Sequence, residues 1–119
     1  MTFSALPSTQ DFDAVFKEPD SKAGNSDFLI LARYSAIPGH HRLGFVTSKK
    51  KIKRSVDRNR FRRVIRNCLR RSYSASNSID YVVIARKVPG NLWTNQFTIE
   101  TTKTIATLFL RLEPNDPKQ

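Results

Sequence analysis

The sequence predicts an α+β fold, a single-domain α/β sandwich built on one small mixed sheet. Apolar, β-branched-rich runs at 28–35 and 79–86 read as strands. Apolar residues recurring with helical spacing at 10–16, 55–73 and 94–112 read as helices. A chain of 119 residues, 39% of them hydrophobic, has material for one modest core and little room for a second domain. One domain over residues 1–119, with its core over about 8–113, is therefore expected.

In chain order, Phe12, Val15 and Phe16 fall at i, i+3, i+4 on one face of a short helix. Ser8 or Thr9 suits its N-cap, and Asp11 and Asp13 suit the positive end of its dipole. Residues 21–27, polar and holding Gly24 and Asn25, read as a loop. The strand at 28–35 places Leu29, Leu31 and Arg33 on one face. A second strand at 42–48 runs antiparallel to it if the turn at 37–41, with Pro38 and Gly39, closes a hairpin. A basic connection at 49–54 leads to the clearest helix. There Ser55 is a plausible N-cap, and Phe61, Val64, Ile65, Cys68 and Leu69 form one apolar stripe. Serine-rich 74–78 is a loop, and 79–86, lacking clean alternation, reads as a central strand buried on both faces. After the Pro89-Gly90 turn, a threonine-rich helix puts Phe97, Ile105, Leu108, Phe109 and Leu112 on one side, and Pro114 ends it. The order is helix, strand, strand, helix, strand, helix.

Charge is distributed very unevenly. The 21 Lys and Arg outnumber the 10 Asp and Glu, a net +11. Residues 42–71 hold thirteen of those cations against Asp57 alone, +12, while the remainder carries −1. On a helical wheel the arc opposite Phe61 collects Asn59, Arg60, Arg62, Arg63, Arg66, Asn67, Arg70 and Arg71, with Arg58 near its boundary. Arg58, Arg62, Arg66 and Arg70 make three successive i, i+4 like-charge contacts, which cost an isolated helix on the order of 1 kcal/mol in total. A polyanion reverses the sign of those terms, and guanidinium groups both grip phosphates bidentately and stack on bases. The pattern points to nucleic-acid docking. A membrane-surface helix is the weaker reading, because the core needs the narrow apolar stripe.

Catalytic chemistry is not visible. His40 and His41 sit side by side in a loop, Cys68 falls inside the apolar stripe, and the acids are scattered. The four glycines are isolated, so no phosphate loop is present, and no motif binds a cofactor or metal. No run reaches the roughly 18 apolar residues of a membrane span, and the start MTFSALPSTQ lacks the features of a signal peptide. A cytoplasmic protein with an anionic partner, no membrane and no evident protein partner is expected.

Residues 48–71, SKKKIKRSVDRNRFRRVIRNCLRR, resemble the signature of the bacterial ribonuclease P protein subunit. Arg58-Asn59-Arg60 match its Arg-Asn-Arg core and Lys49-Lys50 its lysine pair. DFDAVF at 11–16, RLGF at 42–45 and DYVVIAR at 80–86 resemble its first helix, second strand and following strand, in order. The resemblance implies a left-handed βαβ crossover, against the usual preference. It also implies a ribonucleoprotein endonuclease that removes the 5′ leader of precursor tRNA, with catalysis in the RNA subunit and Mg2+ or a similar divalent ion. Docking on ribonuclease P RNA is then assigned to Lys49, Lys50, Lys53, Arg54, Arg58, Asn59, Arg60, Arg62, Arg63, Arg66 and Arg70. Phe12, Phe16, Leu31 and Arg33 are assigned to the leader cleft, Leu31 standing where some relatives carry an aromatic. No basic residue precedes Lys17, where many relatives show a basic arm. A ribosomal or other structural RNA-binding protein is the alternative. A DNA-binding helix module lacks its helix–turn–helix spacing, and a protein-only nuclease lacks its carboxylate cluster.

Overall fold

The computed structural model describes residues 3–35, 41–72 and 78–112. Its elements are β1 (Ser4–Ala5), α1 (Thr9–Lys17), β2 (Ser21–Gly24), β3 (Phe28–Tyr34), β4 (Arg42–Val46), α2 (Ser55–Ser72), β5 (Ile79–Ala85) and α3 (Asn95–Leu112). The strands form one mixed sheet in the order β1-β4-β5-β3-β2. This is the α+β sandwich the sequence predicts, with two added strands.

The centre of the sheet is β5. It pairs antiparallel with β3 from Phe28↔Ala85 to Tyr34↔Ile79, and parallel with β4 from Arg42↔Asp80 to Val46↔Ile84. Strand alternation then divides the apolar residues between two faces. Phe28, Ile30, Ala32, Tyr81, Val83 and Ala85 meet α2 and α3 in the main core. The rings of Phe28, Phe61 and Phe97 pack there with centroids 6.0–6.5 Å apart. Leu31 and Val82 face the other way and pack with Leu6 and Val15, under Phe12, Leu29 and Ile84. One face of the sheet carries the two long helices, and the other carries α1.

The helices follow the predicted periodicity. Phe61, Val64, Ile65, Cys68 and Leu69 are all buried, as are Phe97, Thr101, Ile105, Leu108 and Leu112 along α3. Ser8 caps α1: its Oγ accepts from the Asp11 N–H at 3.3 Å and donates to Asp11 Oδ2 at 2.6 Å. In α2 the Arg58 N–H donates to the Arg54 carbonyl at 3.1 Å, so the ladder starts one residue before a Ser55 cap.

Several expectations are corrected. The strands β3 and β4 do not form a hairpin, because β5 lies between them. Residues 21–24 are not loop but an edge strand paired with β3, whose alternate residues Ser21 and Ala23 are buried. Ser21 Oγ donates to the Leu108 carbonyl at 2.7 Å, which ties that edge to α3. The turn behind it is set by Asn25, whose Oδ1 accepts from the N–H groups of Asp27 and Phe28. The short β1, parallel to β4, has no counterpart in the sequence reading. The turn at 37–40 with His40, the 74–77 loop and Pro114 lie outside the described residues.

Candidate nucleic-acid interface

Burying the Phe61 stripe of α2 turns the opposite arc to solvent. Asn59, Arg63, Arg66, Asn67, Arg70 and Arg71 are exposed there, while Arg58, Arg60 and Arg62 are half-buried. The half-buried arginines bond to their own chain. Arg58 Nη1 donates to the carbonyls of Ile52 and Lys53 at 2.8 and 2.9 Å. Arg62 donates to Thr47 Oγ1 at 3.2 Å and to Asn59 Oδ1 at 2.6 Å. Acceptors from the preceding segment and from Asn59 thus relieve the like-charge ladder that the wheel alone leaves uncompensated. Among the described residues, no hydrogen bond or ion pair engages the side chains of Arg63, Arg66 or Arg70. Arg66 is steered only by the Phe45 ring, 5.9 Å from its guanidinium carbon.

The basic connection before α2 is a turn anchored by one apolar residue. Ile52 is fully buried, and its N–H and that of Lys51 both donate to the Ser48 carbonyl at 3.0 Å. Around that anchor Lys49, Lys50, Lys51, Lys53 and Arg54 are all exposed, continuing the surface of the helix.

The only acid in this stretch points inward. Asp57 is buried and accepts from Trp93 Nε1 at 2.9 Å, with Arg54 Nε at 3.8 Å. The exposed arc of α2 therefore carries no carboxylate, and its field is of one sign.

Not all of the charge counted at 42–71 lies on this face. Arg42 projects from β4 toward α1, where its Nε and Nη2 grip both Asp80 oxygens at 2.8 and 2.7 Å and its Nη1 meets Asp11 at 3.2 Å. The Ser8 hydroxyl and then Arg42 hold the Asp11 carboxyl below the usual carboxylate range. This ion-pair network fastens α1 to the sheet.

Around α1 the four expected cleft residues occupy different depths. Phe16 is 40% exposed, with its ring centroid 6.5 Å from that of Phe12. Phe12 is half-buried and lies against Gly44, where an added Cβ would stand 2.3 Å from Phe12 Cζ. Arg33 Nη1 donates to the Ala14 carbonyl at 2.7 Å, binding β3 to the helix. Leu31 is only 5% exposed and packs beneath α1, so it forms floor rather than contact surface.

The other reactive side chains stay apart. Cys68 is buried, and its Sγ accepts from Arg71 and Thr102 at 3.7 Å. His41 is half-buried, and burial pushes its imidazole below the ordinary pKa. Among the described residues no three of His, Cys, Asp and Glu gather where a metal ion could be held. No helix among them is long and apolar enough to cross a membrane.

A family model described as Ribonuclease P matches residues 2–109. The chain belongs to the ribonuclease P protein family. The ribonuclease P protein component of Azotobacter vinelandii is 38% identical over 109 residues, which cover 92% of this chain and 80% of that protein. That of Pseudomonas aeruginosa is 41% identical over 87 residues, 73% of this chain and 64% of that relative's length. Among solved structures, the RNase P protein of Staphylococcus aureus superposes with a TM-score of 0.66 at 25% identity, covering 92% of this chain and 94% of that one. The fold is therefore that of ribonuclease P proteins.

Residues that no sequence motif marks also shape this surface. Thr47 and Phe45 orient Arg62 and Arg66 from β4 and its exit. Trp93 and Leu92, from the segment after β5, orient Asp57 and Arg60. Their only sequence signal is one tryptophan near a turn, and nothing in the sequence connects that position to a helix some thirty residues earlier.

Proposed function

We propose that the protein is the protein subunit of the ribonuclease P ribonucleoprotein, docking on ribonuclease P RNA and receiving the 5′ leader of precursor tRNA. The observation that carries this reading is the exposed arc of α2 together with the 49–54 turn, densely cationic and cleared of acid by the inward turn of Asp57. Arg63, Arg66, Arg70, Lys49, Lys50, Lys53 and Arg54 meet phosphates on the RNA. Arg58, Asn59, Arg60 and Arg62 hold the geometry of that surface and use their remaining donors on it. On the opposite face of the sheet, Phe16, the open edge of Phe12 and the free donors of Arg33 receive the single-stranded leader above the Leu31 floor.

Endonucleolytic release of the leader is then chemistry of the RNA subunit, which the protein promotes by binding and positioning. The divalent ion, Mg2+ or a similar one, belongs on the RNA in this reading.

Two measurements test the reading. The protein, combined with a bacterial ribonuclease P RNA and precursor tRNA at low magnesium, should accelerate 5′ cleavage over RNA alone; no stimulation refutes the assignment. Replacing Arg63, Arg66 or Arg70 by Ala should weaken assembly and lower the slope of log affinity against log salt by about 1 per lost phosphate contact. An unchanged slope would show that this face is not the docking surface.

A further inference from the structure

Trp93, the chain's one tryptophan, stands 56% exposed beside the first turns of α2, yet it is not a free side chain. Its Nε1–H donates to buried Asp57 at 2.9 Å, and the Arg60 guanidinium lies over its ring, 5.5 Å from the centroid. Arg60 Nε in turn donates to the Leu92 carbonyl at 3.1 Å, so the group stacked on the indole is tied to the backbone next to it. The indole has one polar hydrogen, and that hydrogen is used inside the protein. What it shows to solvent is carbon surface held in a fixed orientation.

A ligand for such a surface is flat and weakly hydrated. With the Arg60 guanidinium over the ring and the exposed Arg54 reaching the same Asp57, such a ligand also arrives with negative charge. A nucleobase on a phosphate chain has both properties, and only an unpaired base offers an open face. Because the ring is already fixed, little side-chain freedom is lost on binding.

We infer that Trp93, clamped between Asp57 and Arg60, is a stacking platform for an unpaired base of the RNA that α2 docks. The inference rests on the docking reading above and adds a non-ionic contact to it. Asp57 becomes a positioning residue: it removes negative charge from the surface and orients the ring.

The wild-type protein tests this directly, because its single tryptophan is the reporter. Titration with ribonuclease P RNA should quench the indole emission and shield it from acrylamide. Trp93→Leu should lower affinity about 5- to 150-fold, the range for loss of a stacked aromatic, with an unchanged salt slope. Trp93→Phe, which keeps a ring, should recover much of that loss. Arg63→Ala, by contrast, should change the slope. Emission and acrylamide access that stay constant at RNA saturation, or Trp93→Leu binding at wild-type affinity, overturn the platform while arginine-dependent binding leaves docking standing. Quenching that grows with protein concentration without RNA assigns the face to a second copy and also overturns it. If the wild-type protein does not bind the RNA, both readings fall.

Discussion

Replacing Arg42 by Ala tests what holds α1 to the sheet. Its guanidinium bridges Asp80 in two hydrogen bonds and reaches Asp11 at 3.2 Å, with the Arg42 and Asp80 side chains only 11% and 9% exposed. Hydrogen bonding to Asp80 raises its pKa further, so it stays charged at any working pH. Alanine leaves the Asp80 carboxylate buried without its counter-ion, a change that costs about 3–5 kcal/mol when a buried pair is broken. Against a total stability of roughly 5–15 kcal/mol, this is a large fraction. For a domain of this size it lowers the melting temperature by about 10–20 °C. Calorimetry or circular dichroism of the two proteins at neutral pH measures it. Adding Asp80→Asn to the Arg42→Ala protein removes the orphaned charge and should return part of the loss. A shift below about 3 °C for Arg42→Ala, or no recovery in the double variant, would refute the reasoning.

Other outcomes follow from the same face of the sheet and from the titrating groups. Gly44→Ala should destabilise by about 1–3 kcal/mol, since its methyl would overlap the Phe12 ring, and shortening Phe12 in the same protein should relieve part of that loss; urea unfolding checks both. Phe16→Ala should leave stability nearly unchanged and weaken binding of leader-bearing tRNA more than mature tRNA, whereas equal losses would contradict a leader contact. Stability should fall in acid in two stages. His41, held below its ordinary pKa by burial, binds its proton more readily in the unfolded chain, so stability declines as pH drops through about 6.5. Asp11, held low by Ser8 and Arg42, contributes fully above about pH 4 and loses that contribution as pH falls further. Unfolding curves across this range should show Asp11→Asn flattening only the lower stage.

The helices were legible because period 3.6 survives any arrangement of neighbours: Phe61 to Leu69 read as a stripe and are buried as one. The β-branched run at 79–86 likewise announced a strand covered on both faces. Partner choice was not legible. Strands adjacent in sequence usually pair, and nothing in the apolar pattern of 28–34 or 42–46 indicates that β5 inserts between them. Residues 21–24 read as loop because the two inward positions of β2 are small, Ser21 and Ala23. The charge count at 42–71 placed Arg42 with the basic helix, because a window of sequence ignores the alternation that sends it to the α1 face opposite Asp80. For the candidate interface, the arginines could be read from the wheel, but their division into free and internally bonded groups depends on carbonyls and rings distant in sequence.

The central place of β5 bears on how the protein comes into being at the ribosome. The strand that joins β3 to β4 is made last, so a nascent chain ending before Ile79 has only β2 beside β3 and the two-residue β1 beside β4, with nothing to link the two pairs. The apolar sides of Ile30, Leu43 and Phe61 have by then been synthesised and lack the layer that closes over them. Acquisition of structure is consequently late and cooperative, governed by contacts distant along the chain. The arginine-bearing helix is translated before that event but acquires a rigid base only after it. Under the proposed docking role, a partly made chain offers RNA a charged but unshaped segment, and discrimination among RNAs begins with the completed sheet.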